Sequence, residues 1–397
     1  MSLSVRFWHG EQYYIRKGGS TMKTIAQRMK VLGALFSSGL TVMFALLWAT
    51  PASAQVFGKT FEEVIEKAKQ ERELRVYWEV PAERGVGAHL EAAFKKRFGF
   101  VPRLELTPLT TPDSTTRFLT EVRLGRVDVD LLYAGADDMA PYPERVRLLE
   151  DIERPLAEIF GSRFPTVKQI LRNVPAWKRP WSVDVTTRAN GMVYNTKMTT
   201  AAELPKTIEE FAQGKGFADP KWMGKFAINT LGPATPVGDL AAQGYWDLEK
   251  QKRVLKLLLA NKPLLKRSSG DIRVAVALGE VPAGLGNVAG TEGLKKEGHP
   301  IGLKLFEDVI VVGTMGLTIP RGAKNPNMAL LYLAFILEDG LPIIEKVNGE
   351  GTIFDPRSQL SGLLKAMPQA RVLDWTPQEL LARTRDKTRK ALQELMP

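Results

Sequence analysis

Along the first half of the chain the apolar positions switch repeatedly between helical and extended spacing. Phe61, Val64, Ile65 and Ala68 recur at helical intervals behind Thr60 and Glu63, which have the spacing of a capping box. Residues 74–80 form a short β-rich run that Pro81 stops. Val86, Leu90, Ala93, Phe94 and Phe98 mark the next amphipathic helix, ending at Gly99. Residues 103–107 predict a strand. Phe118, Leu119 and Val122 predict a helix that stops near Gly125, and residues 127–133 a further buried strand. Strands alternating with helices at this spacing predict an α/β chain with a parallel, doubly wound sheet and helices on both faces.

The pattern restarts after a stretch rich in Pro and Trp, residues 175–181. Strands are predicted at 191–195 and 224–229, and a Gly/Pro/Thr loop follows the second. Thr207 and Glu210 are placed to cap a short helix between them. Residues 248–259 and 272–278 predict helices, the latter ending at Gly279, and residues 309–319 a long strand. Asn325 as N-cap, Pro326 at the first helical position and Ala329, Leu330, Leu333, Ala334 and Leu337 predict a further helix. Thr376, Pro377 and Glu379 start a last amphipathic helix that runs almost to Pro397. No internal repeat and no low-complexity segment is present.

A chain of 397 residues exceeds one ordinary core and implies two α/β domains once a targeting segment is set aside. Such a segment is visible. Lys23, Arg28 and Lys30 precede an uncharged apolar run, residues 31–48, and Ala52-Ser53-Ala54 follows it. This is the order of a secretory signal peptide, with cleavage predicted after Ala54 and Met22 as an alternative start. An uncleaved membrane anchor is the competing reading, since the run is almost long enough to span. No later stretch reads as long and apolar enough to cross a bilayer.

The formal charge of +11 looks at first like a nucleic-acid signature. The first 54 residues, however, hold six basic side chains against Glu11 alone, a surplus of five that leaves +6 spread without long basic runs. Nucleic acid is therefore not an expected partner. The chain has no Cys, so neither a disulfide framework nor a lipidated thiol is available. An exported chain without an anchor is expected to be free in the periplasm of a Gram-negative cell.

Four segments, in order, resemble bacterial extracellular solute-binding proteins. They are Gly191-Met192-Val193-Tyr194-Asn195-Thr196, then Leu204-Pro205-Lys206-Thr207, then Pro220-Lys221-Trp222-Met223-Gly224-Lys225, and Ile319-Pro320-Arg321-Gly322-Ala323-Lys324-Asn325-Pro326. The resemblance implies a two-lobed, type II periplasmic-binding fold, with two doubly wound sheets joined by two hinge strands near 183–188 and 306–313. Lobe 1 is expected at 55–185 with 307–345, and lobe 2 at 186–306 with 346–397. It implies a monomer that captures a small polar ligand between the lobes and delivers it to the membrane permease of an ABC importer. Iron-binding relatives carry adjacent tyrosines where this chain has Val288 and Ala289, so no metal ligand set is expected there.

Catalytic chemistry finds no support in the residues. His9 precedes the signal, His89 and His299 stand isolated, and no G-x-S-x-G elbow or H-E-x-x-H pair occurs. Asp128, Asp130, Asp137 and Asp138 cluster at a strand end, where solvated carboxylates are the plain reading. The run 284–290 imitates a dinucleotide fingerprint with its last glycine one residue late, so no cofactor is expected. A tethered sensory or adaptor module, or a periplasmic hydrolase, are the alternatives.

Candidate ligand contacts are the loop-borne polar groups that the family fold would bring to the cleft. From the first lobe these are Glu83 and Arg84, Ser114 and Thr115 at a helix start, and Gly135 and Asp137 after a strand. From the second they are Thr230, Thr235, Ser268, Ser269 and Asn287. Each has a competing reading as a cap or turn residue. Trp181, with Trp177, either stacks on the ligand or fills the hinge core. Helix starts and Arg84 favour an anionic ligand, whereas Glu83 and Asp137 favour a cation such as a polyamine.

Overall fold

The fold is that of a computed structural model, which describes residues 57–230 and 236–396. The expected signal peptide, its cleavage site and Thr235 lie outside the described residues. The first half contains α1 (Phe61–Glu71), β1 (Glu73–Tyr77), α2 (Val86–Phe98), β2 (Arg103–Thr107), α3 (Thr111–Arg123), β3 (Leu131–Gly135) and α4 (Pro165–Asn173). A 13-residue strand, β4 (Val183–Asn195), then leads to β5 (Phe226–Asn229), α5 (Leu248–Ala260), β6 (Leu264–Lys266), α6 (Ser269–Leu278), β7 (Ala283–Asn287), α7 (Thr291–Lys296) and β8 (Ile301–Lys304). The long return strand β9 (Val309–Thr318) precedes α8 (Pro326–Phe335), α9 (Leu341–Asn348), α10 (Gln359–Lys365), β10 (Arg371–Leu373), α11 (Pro377–Leu381) and α12 (Thr384–Gln393).

Strand order along the sheet is β2-β1-β3-β9-β4-β7-β5-β6. β2, β1 and β3 run parallel, as do β6, β5 and β7, while β4 and β9 are antiparallel to every neighbour in that path. Each half is thus a parallel α/β layer, and the two long strands cross between them. They pair with each other from Val183 opposite Leu317 to Ala189 opposite Val312, with a register shift between Asp184 and Thr186. The crossing expected at 183–188 therefore extends without a break into the strand expected at 191–195. Its partner segment is 312–317, a few residues beyond 306–313.

The cores follow this division. One cluster packs Val64, Trp78, Phe94, Tyr133, Val185 and Leu317 with α8, α9 and Phe354. Another packs Phe211, Phe217, Phe226, Leu255 and Phe306 with Leu373 and Leu392 of the last segments. Residues 326–348 form one helical run of mean hydropathy 1.5, long and apolar enough to cross a membrane. This corrects the sequence reading. The run is 78% buried inside the first core, which accounts for its composition without a bilayer.

Two helix starts also differ from expectation because a distant carboxylate supplies the cap. These are Glu71, to the N–H groups of Asn327 and Met328 in α8 (3.2 and 2.7 Å), and Asp308 at residues 208–209; at a third start the capping box stays open. Asn325 precedes α8 but its side chain makes no capping bond. The carboxylate of Asp130, fully buried, accepts the N–H groups of Lys324 and Asn325 (2.9 and 3.0 Å) and pairs with Arg75 (2.8 Å). Burial alone would raise the Asp130 pKa, but Arg75 and Asn325 outweigh it and hold the group below the ordinary range. Asp308 likewise accepts the N–H groups of Ile208 and Glu209, where Thr207 was expected to cap. At α1, Thr60 caps Glu63, but the Glu63 carboxylate takes the N–H of Lys59 instead of closing the box. The expected last helix is split in two by Arg383, which sits in the left-handed region at φ 53°.

Candidate functional site

The largest cavity, about 610 Å³, opens between the two halves. Five of the expected ligand contacts meet there: Glu83, Arg84, Ser268, Ser269 and Asn287. The α6 start is built locally. Ser268 accepts the N–H of Asp271 and Asp271 returns the bond to the N–H of Ser268, a complete capping box. Ser269 Oγ accepts the Asn287 N–H at 3.1 Å, which fastens the end of β7 to the first turn of α6. Gly286 permits this approach, since a Cβ there would lie 2.8 Å from Ser269 Oγ. Arg273, one turn along α6, donates to the Asn287 carbonyl at 3.0 Å.

Opposite stand residues from the first half. Glu79 follows β1 and pairs at 2.7 Å with Arg188, a cation carried by β4 where the two crossing strands pair. Arg84 joins Glu297 (2.5 Å) and Asn348 (2.5 Å), and Glu83 accepts from Asn348 (2.8 Å). Arg84 thereby links the segment before α2 to the segment after α7, bridging one flank of the cavity. Glu350 is buried, 8% exposed, and its Oε2 has no hydrogen-bond partner among the described residues. Burial, opposed by Arg188 and reinforced by Glu83, pushes Glu350 up to about 7. Burial likewise lowers Arg273, with Glu350 opposing the drop.

A second cavity of about 350 Å³ adjoins the first, and the two share Arg188, Met315, Arg385 and Arg389. Asp137 lines this one, paired with Arg385. Asp138 beside it is pushed up to about 6 by burial.

The remaining expected residues are elsewhere. Ser114 is fully buried and donates to the carbonyls of Tyr133 and Thr111, tying α3 to β3. Thr115 is buried beside it. Both lie one turn inside the helix, and the residues of α3 that reach a cavity are Thr111 and Pro112. Gly135 serves as the backbone N-cap of the one-turn helix Ala136–Met139. Trp181, 7% exposed, packs with Trp177 at 6.2 Å in a core cluster with Phe118 and Trp375. Thr230 is hydrogen-bonded through its N–H to Lys266 and lines neither cavity.

The structure adds Glu79, Arg188, Arg273, Glu350, Trp375, Arg385 and Arg389 to the wall of the larger cavity. For Arg188 a signal existed, because a cation in the middle of a long strand is costly to bury unless something pairs it. Among the described residues no group of three or more His, Asp or Glu is placed to hold a metal ion. Val288 is buried.

The sequence profile of the bacterial extracellular solute-binding proteins matches residues 90–340, more than half of the chain. The chain belongs to that family. No curated protein matches it closely in sequence. Among solved structures, the iron-bound HitA of Pseudomonas aeruginosa is similar at 19% identity and a TM-score of 0.59, over 81% of this chain and 99% of that one. The substrate binding protein of an ABC transporter from Agrobacterium tumefaciens is similar at 18% identity and a TM-score of 0.61, over 81% and 96%. AgtB of A. tumefaciens, bound to agropinic acid, is similar at 15% identity and a TM-score of 0.57, over 81% and 98%. At these identities the likeness shows the fold, which is the two-lobed type II periplasmic-binding fold. As a member of this family the chain is a solute-binding protein, and the interlobe cavity is the candidate site for the solute.

Proposed function

We propose that this solute-binding protein is exported, loses its first 54 residues, and serves free in the periplasm as the monomeric capture subunit of an ABC importer. The observation that carries the reading is the polar, 610 Å³ cavity between the two halves. Its size suits a small solute, and charged or hydrogen-bonding side chains make up most of its lining residues. The similar Agrobacterium protein, itself part of an ABC transporter, supports the importer assignment.

The solute is a small anion or an anionic compound. Six arginines line the cavity against four carboxylates, those of Glu79, Glu83, Asp239 and Glu350. The α6 start adds partial positive charge beside Ser269. Protonation of Glu350 near neutral pH shifts the balance further toward cations. The protein binds and releases without bond chemistry, consistent with a family of binding proteins. Closure turns about the paired part of β4 and β9, the only two long strands of the fold that belong to both halves among the described residues, and couples capture to recognition by the permease.

A thermal-shift screen of the purified mature chain against organic and inorganic anions, polyamines, sugars and iron chelates tests this. An anionic compound is expected to raise the melting temperature in a saturable manner. A shift produced by polyamines alone would overturn the charge assignment, and an N-terminus other than Gln55 in periplasmic extract would overturn the processing.

A further inference from the structure

The last helix, α12, reaches the cleft with two arginines that the family-level reading leaves without a role. Arg385 and Arg389 are four residues apart and so share one helix face. Both line both cavities. Arg385 pairs with Asp137 in the first half, and its Nε also stands 3.5 Å from Asp239 Oδ1 in the second. The Nε of Arg389 stands 3.5 Å from that same oxygen. Neither Nε, nor Asp239 Oδ1, makes a hydrogen bond among the described residues.

Two guanidinium groups therefore crowd one carboxylate oxygen, at a distance too long for a charge-assisted hydrogen bond of about 2.8 Å. Burial and the neighbouring Arg389 push Arg385 down to about 9, so the two guanidinium groups repel each other in a site with little water. Each guanidinium presents about five donors in a fixed fork that matches a carboxylate. The groups that the protein itself sets against them, Asp137 and Asp239, are carboxylates.

Resting on the proposed capture of an anion in this cleft, we propose that Arg385 and Arg389 receive a carboxylate of the solute, and that Asp239 is an internal competitor occupying the pair while the cleft is empty. The solute class is then a small carboxylic acid. Its carboxylate takes the donors that Asp239 leaves unused, and α12 becomes a third wall of the site beside the two lobes. Trp375 reports on the event, since its ring lies on the cavity wall 5.3 Å from the Arg385 guanidinium.

The test titrates the mature chain with malonate, succinate and glutarate, and separately with inorganic phosphate, following tryptophan fluorescence and calorimetric heat. At least one dicarboxylate is expected to bind, giving calorimetric heat and a change in tryptophan fluorescence. Replacing both arginines (R385M/R389M) should weaken that binding at least tenfold. Asp239→Asn should tighten it several-fold, a gain that misfolding does not produce. Failure of every dicarboxylate, tighter binding of phosphate, or weakening by Asp239→Asn would overturn the assignment. Wild-type affinity in R385M/R389M with loss in Ser269→Leu would remove the α12 subsite and keep the cleft. Wild-type affinity in Ser269→Leu would remove the cleft itself.

Discussion

The starts of α3 and α6 look alike in sequence, each a short hydroxyl-rich stretch with an aspartate ahead of an amphipathic helix, yet the fold uses them for opposite ends. At α6 the hydroxyls are the N-cap and first helical residue, so they sit at the helix mouth and face the cavity. At α3 the helix begins earlier, at Thr111, so Ser114 and Thr115 fall one turn in and point at β3. A displacement of three residues along a helix returns almost to the same face but carries the side chain about 4.5 Å away from the helix mouth. The lesson is that hydroxyls near a helix start mark a ligand site only when the capping register is known. In the core some such groups are spent on wiring, Ser114 on Tyr133 and Asp130 on the segment ahead of α8, although Thr115 Oγ1 is buried there without a hydrogen bond among the described residues. In the cleft the wiring is incomplete, and Glu350 Oε2 and the Arg385 and Arg389 Nε atoms lack hydrogen bonds among the described residues.

That contrast makes graded predictions. Asp130→Ala should have the largest effect, a loss of about 3–5 kcal/mol in unfolding free energy, because it strands Arg75 and the N–H groups ahead of α8. Solute affinity of the folded fraction should not change, and chemical denaturation alongside calorimetry checks both.

Glu350→Gln comes next and depends on pH. The Glu350 pKa is raised in the folded chain from its ordinary 4.5 to about 7, so between those values the folded protein holds a proton that the unfolded chain has released. Stability is therefore fully present below about 4.5 and is lost as pH rises through 7. The variant escapes that loss, so its melting temperature should gain on the wild type between pH 5 and pH 8, by the equivalent of at most ~3 kcal/mol. A constant offset across that range would place Glu350 outside the titrating set.

Ser114→Ala should be the mildest, about 1 kcal/mol from the buried hydroxyl and its bond to the Tyr133 carbonyl, with unchanged affinity. A loss of affinity matching that of a Ser269 variant would erase the distinction between the two helix starts.

How far the sequence was legible follows the same division between local and imported determinants. Residues 86–98 form a helix as expected, because the apolar spacing and Gly99, at φ 78°, are both local signals. Residues 103–107 form the expected strand for the same kind of reason. Ser268 and Ser269 read as a helix start, as they are, although the pattern at 272–278 marks only the apolar face and leaves the capping box with Asp271 unread. The Asn325 cap and the Thr207 cap misled, because Glu71 and Asp308 arrive from across the fold to do that work. Arg385 and Arg389 were readable as one face of an amphipathic helix, but not as cleft residues. Their position depends on Arg383 breaking the expected helix and on the packing of α12 against the turn Val237–Asp239. Trp181 and Trp375 show the limit plainly, since one tryptophan of a single core cluster is interior and the other also faces the cavity.

The account stands most directly on Ser269, whose hydroxyl closes β7 onto α6 at the cavity wall. Isothermal titration of Ser269→Leu with the solute found by thermal-shift screening is the decisive measurement, with circular dichroism to confirm the fold. A leucine there removes the bond to the Asn287 N–H and enlarges the side chain at the cavity wall, so binding is expected to vanish while the spectrum is retained and the unfolding transition shifts modestly downward. An affinity equal to that of the wild type would contradict the placement of the solute between the lobes.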